Sequence, residues 1–135
     1  MRECLYIPVE FLDALWPEVR GYVEQALRHS AGEYHVDDIR DEAEAARVQL
    51  WAVLEDAEIV AAGATKILNY PRRRILECFL LAGEGFERWG ECFTRELEGF
   101  AVHQGCHIAR VTGRRGWSRR LTDYRPGCQT IDKVL

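Results

Sequence analysis

The chain has 135 residues, of which 47% are hydrophobic and 30% charged, with a formal net charge of −4. That length and composition fit one globular domain with a real core and exclude a disordered chain. No apolar run reaches the about 18 residues of a membrane span and no basic-then-apolar leader opens the chain, so a cytoplasmic location is expected. Residues 4–7 read as a short strand. Phe11, Leu12, Leu15, Val19, Tyr22, Val23, Ala26 and Leu27 then recur at helical spacing. Pro17 fits the first turn of that helix, where a missing N–H costs nothing, and residues 30–32 end it. Asp37 or Asp38 can cap a second helix that runs to about Arg47.

The period then changes. Residues 48–54 are rich in β-formers, 55–58 make a polar turn, and 59–70 form a longer strand. Pro71 and three arginines separate it from a third strand over 75–82. Two short connections predict an antiparallel meander, and the apolar run of its last strand predicts burial on both faces. Gly83 to Gly85 break that strand, and Phe86, Trp89, Phe93, Leu97, Phe100 and Ala101 follow helical spacing to a stop at Gly105. A strand over 107–112, a short helix from 116 to about 123, and a last strand over 128–135 complete the order β α α β β β α β α β. The β–α–β step from 75 to 112 implies a parallel pair, and a mixed sheet with helices on both faces packs such a chain. The fold class is therefore α/β in the broad sense, of the α+β kind, with residues 1–135 as one domain.

The five cysteines, Cys4, Cys78, Cys92, Cys106 and Cys128, are odd in number and widely spaced, which argues against a disulfide framework. His103, Cys106 and His107 lie close together without a zinc spacing, so no metal site is expected. Charge is split: residues 1–58 hold 14 acids and 5 bases, residues 59–135 hold 8 acids and 13 bases. A basic half can receive phosphate, nucleic acid or an acidic partner, or simply complement the acidic half. Arg110 to Arg125 with Trp117 is the stretch that would contact nucleic acid, but the overall negative charge and the lack of a reader motif make that the weakest of the options.

The element order resembles that of the GNAT (GCN5-related N-acetyltransferase) fold. Three local pieces, Gln49-Leu50-Trp51-Ala52-Val53, Tyr70-Pro71-Arg72-Arg73-Arg74 and Gly113-Arg114-Arg115-Gly116-Trp117, are similar to small GNAT-like proteins encoded by tailed phages and prophages. The resemblance implies acetyl-CoA as the acyl donor, held in the opening between the strands over 75–82 and 107–112. It implies a pyrophosphate loop of pattern Q/R-x-x-G-x-G/A, which here falls on Leu80 to Gly85, so that Leu81, Ala82, Gly83, Gly85 and Phe86 would meet the cofactor. Leu80 stands where the family has Gln or Arg, and Glu84 and Glu87 put negative charge beside the phosphates. Arg114, Arg115 and Arg119 would pair with CoA phosphates. Glu77 matches the family's general base, with burial in an apolar strand expected to raise its pKa, unless one of Arg72 to Arg74 pairs with it. The family's thiolate-protonating Tyr is replaced near Arg119 or Arg120, leaving Tyr124 as the candidate acid or a buried anchor. Two readings follow: an acyl-CoA-dependent N-acyltransferase, or a non-catalytic GNAT-fold module that binds a host or phage protein, with Trp117 as the exposed anchor.

Overall fold

The structure is a computed structural model that describes residues 1–113 and 116–135. Five strands, β1 (Arg2–Ile7), β2 (Gln49–Glu55), β3 (Glu58–Asn69), β4 (Arg74–Gly83) and β5 (Ile108–Val111), lie in one sheet in sequence order. β2, β3 and β4 pair antiparallel and β4 pairs parallel with β5, as the meander and the β–α–β step predict, and β1 adds antiparallel to β2. The helices are α1 (Leu12–Leu27), entered through a single 3-10 turn, α2 (Val36–Glu44), α3 (Phe86–His103) and the one-turn α4 (Trp117–Arg120).

Strand alternation sends one set of side chains to each face. On one face Leu50, Ala52, Ala62, Ala64, Leu80 and Ala82 pack against Trp16, Val19 and Val23 of α1 and Ile39 of α2. On the other, Cys4, Trp51, Val53, Ala61, Leu76 and Cys78 pack against Trp89, Phe93, Leu97 and Ala101 of α3. The small Ala-rich rows let α1 approach β3 closely, while the α3 face is filled by aromatic rings in edge contacts, Trp51 with Phe93 and with Phe100 among them. Both faces of β4 are covered, as its apolar run predicts.

Three local expectations need correction. Pro17 lies inside α1 rather than in its first turn, because the helix starts five residues earlier, at Leu12. His35, not Asp37 or Asp38, caps α2: its Nδ1 accepts from Asp37 N–H at 3.3 Å, and the Asp38 carboxylate accepts from His35 N–H at 2.8 Å. The two aspartates occupy the first turn, where the helix dipole favours them. Residues 128–135 form no strand: Ile131 and Val134 are 88% and 95% exposed. β-propensity alone does not hold a strand without a neighbour to pair with. The stop at Gly105 is as expected, with φ +74° and Cys106 N–H returning to the Ala101 carbonyl at 2.8 Å. Among the described residues no helix is long and apolar enough to cross a membrane.

Candidate active site

The site begins with a break in pairing. β4 and β5 stay in register from Ile75 opposite Ile108 to Cys78 opposite Val111, and Thr112 N–H closes the ladder on the Cys78 carbonyl at 3.0 Å. From Phe79 to Gly83, β4 continues beside β3 alone. Cys78 faces Thr65 and Leu80 faces Ala64, so Phe79 is an extra residue in β4. A bulge bends its strand and sharpens the twist, and this one falls where the β4–β5 ladder ends. The result is a cleft floored by a backbone edge whose N–H and C=O groups have no strand beside them among the described residues.

Glu77 lies just before this cleft. Register sets Lys66 of β3 opposite it, and Lys66 Nζ is 3.7 Å from Glu77 Oε1. Glu77 Oε2 accepts from the Thr112 hydroxyl at 2.9 Å. The Lys66 ammonium also lies 4.5 Å from the Phe79 ring centroid and 5.6 Å from that of Tyr34, whose hydroxyl is 3.5 Å from Nζ. The expected pairing of Glu77 with Arg72, Arg73 or Arg74 is therefore incorrect. Arg74 sits at the hairpin end opposite Asn69, donating to the Asn69 side chain at 2.6 Å and to the Gln104 carbonyl at 2.9 Å. The Lys66 partnership depends on β3–β4 register, which the sequence does not display.

At the far end of the cleft, β4 turns into α3. Gly83 has φ +139°, and a Cβ there would lie 2.3 Å from the Ala61 Cβ, so only glycine fits. Gly85 is the N-cap of α3 in the left-handed conformation, φ +84°. Leu81 and Ala82 lie on the stretch of β4 that pairs with β3 but not with β5, and Phe86 is the first residue of α3. The Phe86 ring is engaged by Trp89 at 5.1 Å and Trp117 at 5.0 Å. Trp117 is thus half-buried and docks α4 onto α3. Its role as an exposed anchor is corrected by that contact.

Two cations that the sequence did not single out for this loop are there. A Cβ on Gly85 would lie 2.1 Å from the Arg88 guanidinium, so Arg88 folds back over the loop. It reaches Glu55 through Nε and Nη2 at 3.0–3.2 Å, and this bond, with help from Arg2, holds the Glu55 carboxyl below its ordinary range. Arg120 lies 5.6 Å over the Phe86 ring. These offset the negative charge of Glu84 and Glu87. Arg119 is exposed on α4, and Arg114 and Arg115 lie outside the described residues.

Tyr124 is not beside Glu77. Its hydroxyl donates to Glu98 of α3 at 2.7 Å, and burial, followed by Glu98, pushes its pKa well above the ordinary tyrosine value. Glu77 and Cys78 are consecutive in β4 and point to opposite faces. Tyr124 belongs to the α3 face with Cys78, whereas Glu77 shares the α1–α2 face with Tyr34 and Phe79. Two hollows adjoin β1. One, of about 480 Å³, is lined by Met1, Arg2, Glu55, Asp56 and Arg88; the other, apolar and of about 280 Å³, lies between β1 and α1 around Tyr6, Phe11 and Leu54.

No protein-family model and no curated protein sequence matches the chain. Solved structures do match it over their whole length. An aminoglycoside acetyltransferase from an uncultured soil metagenomic sample aligns with a TM-score of 0.72 at 15% identity, covering 100% of this chain and 99% of the other. The aminoglycoside N-acetyltransferase AAC(6')-Iy in complex with CoA aligns at 0.73 and 11% identity, covering 100% and 95%. A GNAT family acetyltransferase from Staphylococcus aureus aligns at 0.67 and 9% identity, covering 99% and 98%. At such identities the likeness is one of fold, and the chain has the GNAT acetyltransferase fold from end to end.

Proposed function

We propose that the chain is an acyl-CoA-dependent N-acyltransferase. The observation that carries this reading is the cleft where β4 leaves β5, with a carboxylate at its mouth and a left-handed glycine at the following helix start. When bound, acyl-CoA would supply an activated acyl group as a thioester. The unpaired edge of β4 from Phe79 to Gly83 offers backbone groups for an extended amide-bearing ligand. Gly83 and Gly85 keep the turn free of side-chain bulk, and Arg88, Arg119 and Arg120 supply cations for phosphate near the α3 start. Glu77, oriented by Thr112, is the base for the attacking amine. Tyr124, with its hydroxyl donating a hydrogen bond to Glu98, serves as an anchor for the segment after α4 rather than as the acid. A phage or prophage source rests on the three sequence pieces alone.

The second reading, a non-catalytic module that binds a protein, is favoured by a different observation. The apolar hollow beside β1 is rimmed by Leu5 and Phe11, which are 44% and 55% exposed. Exposed apolar patches of this kind serve as protein contacts.

Calorimetric titration with acetyl-CoA separates the two, with desulfo-CoA and ATP as controls. Saturable micromolar binding is expected, weakened at least about tenfold in the Arg88→Ala and Arg120→Ala double variant, as befits loss of charge-assisted phosphate bonds. No binding of acetyl-CoA at millimolar concentration would reject the enzyme reading and leave the module.

A further inference from the structure

The chain has 18 basic residues, and only two of them, Lys66 and Lys133, are lysines. Everywhere else it uses arginine, which stays protonated in proteins and cannot act as a nucleophile, whereas lysine can. Lys133 lies in the exposed segment after Cys128. Lys66 is placed differently. Its side chain is 29% exposed and that of Glu77 is 13% exposed, so the pair is largely enclosed without being sealed. The ammonium faces a carboxylate oxygen at 3.7 Å, an aromatic ring at 4.5 Å and a second ring at 5.6 Å. Carboxylate plus aromatic faces is the chemistry that recognises an alkylammonium ion. Here that recognition set is already filled by the protein's own amine, at the mouth of the cleft.

We propose that Lys66 is the acceptor of the acyl group from acyl-CoA bound to its own chain, so that the protein acylates itself at this position. The inference rests on the acyl-CoA reading of the cleft and adds the acceptor to it. Lys66 first yields one ammonium proton to Glu77 Oε1, while Thr112 keeps Oε2 in place. The freed Nζ forms a bond to the acyl carbon and displaces the thiolate sulfur from it. The second nitrogen proton leaves to solvent as the amide forms, and the thiolate takes a proton from water. The net change is amine plus thioester to amide plus thiol, with no oxidant or reductant. The product amide carries no charge, so it abolishes both the ion pair with Glu77 and the cation–π contacts.

The test uses the whole chain with acetyl-CoA. Peptide mass spectrometry follows acetyl incorporation at Lys66 and Lys133 over time, and calorimetry measures acetyl-CoA binding in the same preparations. Lys66 is expected to be acetylated about 100-fold faster than Lys133, the low end of what a positioned base contributes. Glu77→Gln should reduce the Lys66 rate by about the same factor, with acetyl-CoA binding within about twofold of the parent. Lys66→Arg should retain binding and fold, by circular dichroism, with no acetyl group at position 66. Equal rates at Lys66 and Lys133 would mean chemical acetylation only and overturn the proposal. Binding of acetyl-CoA without modification of Lys66 would overturn it while leaving the enzyme reading intact. Failure to bind acetyl-CoA would overturn both.

Discussion

Thr65 is fully buried in β3, and its hydroxyl joins two other buried groups. It accepts from the Trp51 indole N–H at 3.0 Å and donates to the Gln49 side-chain oxygen at 2.8 Å. Valine has nearly the same shape but no hydroxyl. Thr65→Val should therefore cost about 1–3 kcal/mol, because it strands a buried donor and a buried acceptor together. Urea unfolding monitored by tryptophan fluorescence measures this, and a loss under about 0.5 kcal/mol would mean that the two groups find other partners. At this scale the sequence was half legible. Glu77 stood out as a carboxylate in an apolar strand. Lys66, Tyr34 and Thr112, which determine what that carboxylate touches, come from three distant segments. Arg88 was likewise invisible as a loop-covering residue, since its place depends on Glu55 from the far end of β2.

The elements followed their periodicities closely until the chain passed β5. α3 is amphipathic and its Trp89, Phe93, Leu97 stripe meets the sheet as spacing predicts. The helix expected over 116–123 shrinks to Trp117–Arg120, with Tyr124 N–H bonding back to Leu121 in a turn. Trp117 and Arg120 of α4 both meet the Phe86 ring of α3. The segment after Gly127 is exposed throughout and makes no comparable contact among the described residues. Deleting residues 128–135 should leave the unfolding free energy within about 0.5 kcal/mol, as for surface changes that remove no buried contact. Trp117→Ala should cost more, about 1–2 kcal/mol, from lost burial and ring contact. Thermal melts of the two variants compare them directly. The reverse order would mean that the tail is paired in solution.

At the scale of the whole molecule, two buried thiols and the half-buried Tyr124 share one direction of shift. Burial pushes the Cys78 thiol up to about 12. Cys4 is raised by burial and then by its hydrogen bond with Cys92, and Tyr124 by burial and then by Glu98. The fold favours their protonated forms. An unfolded cysteine ionises near 9.0, so above that pH the unfolded chain releases protons that the folded chain keeps. Fewer protons bound in the unfolded state means stability that is full below pH 9 and falls as pH rises toward 12. Melting temperature should decline steadily from pH 8.5 to 10.5, and Cys78→Ala should shallow that decline. A flat profile in the parent would contradict the buried neutral thiols. The charge split between the halves finds one use in the fold, the Arg88–Glu55 pair that ties the start of α3 to β2.

The sequence by itself determined the elements from β1 to β5, the antiparallel pairing of β2, β3 and β4, the parallel pairing of β4 with β5, and the resemblance to the GNAT fold. These depend on local period, turn residues and connection length, which are written along the chain. Tertiary structure alone decided three things. It put a bulge at Phe79, where the β4–β5 ladder ends and one edge of β4 is left without a strand among the described residues. It sent Glu77 and Tyr124 to opposite faces of the sheet. It also brought the one lysine of the sheet against Glu77 and two aromatic rings. Each of these follows from register and from which face a side chain takes. A shift of one residue in a strand reverses that face, and only packing against neighbours fixes it.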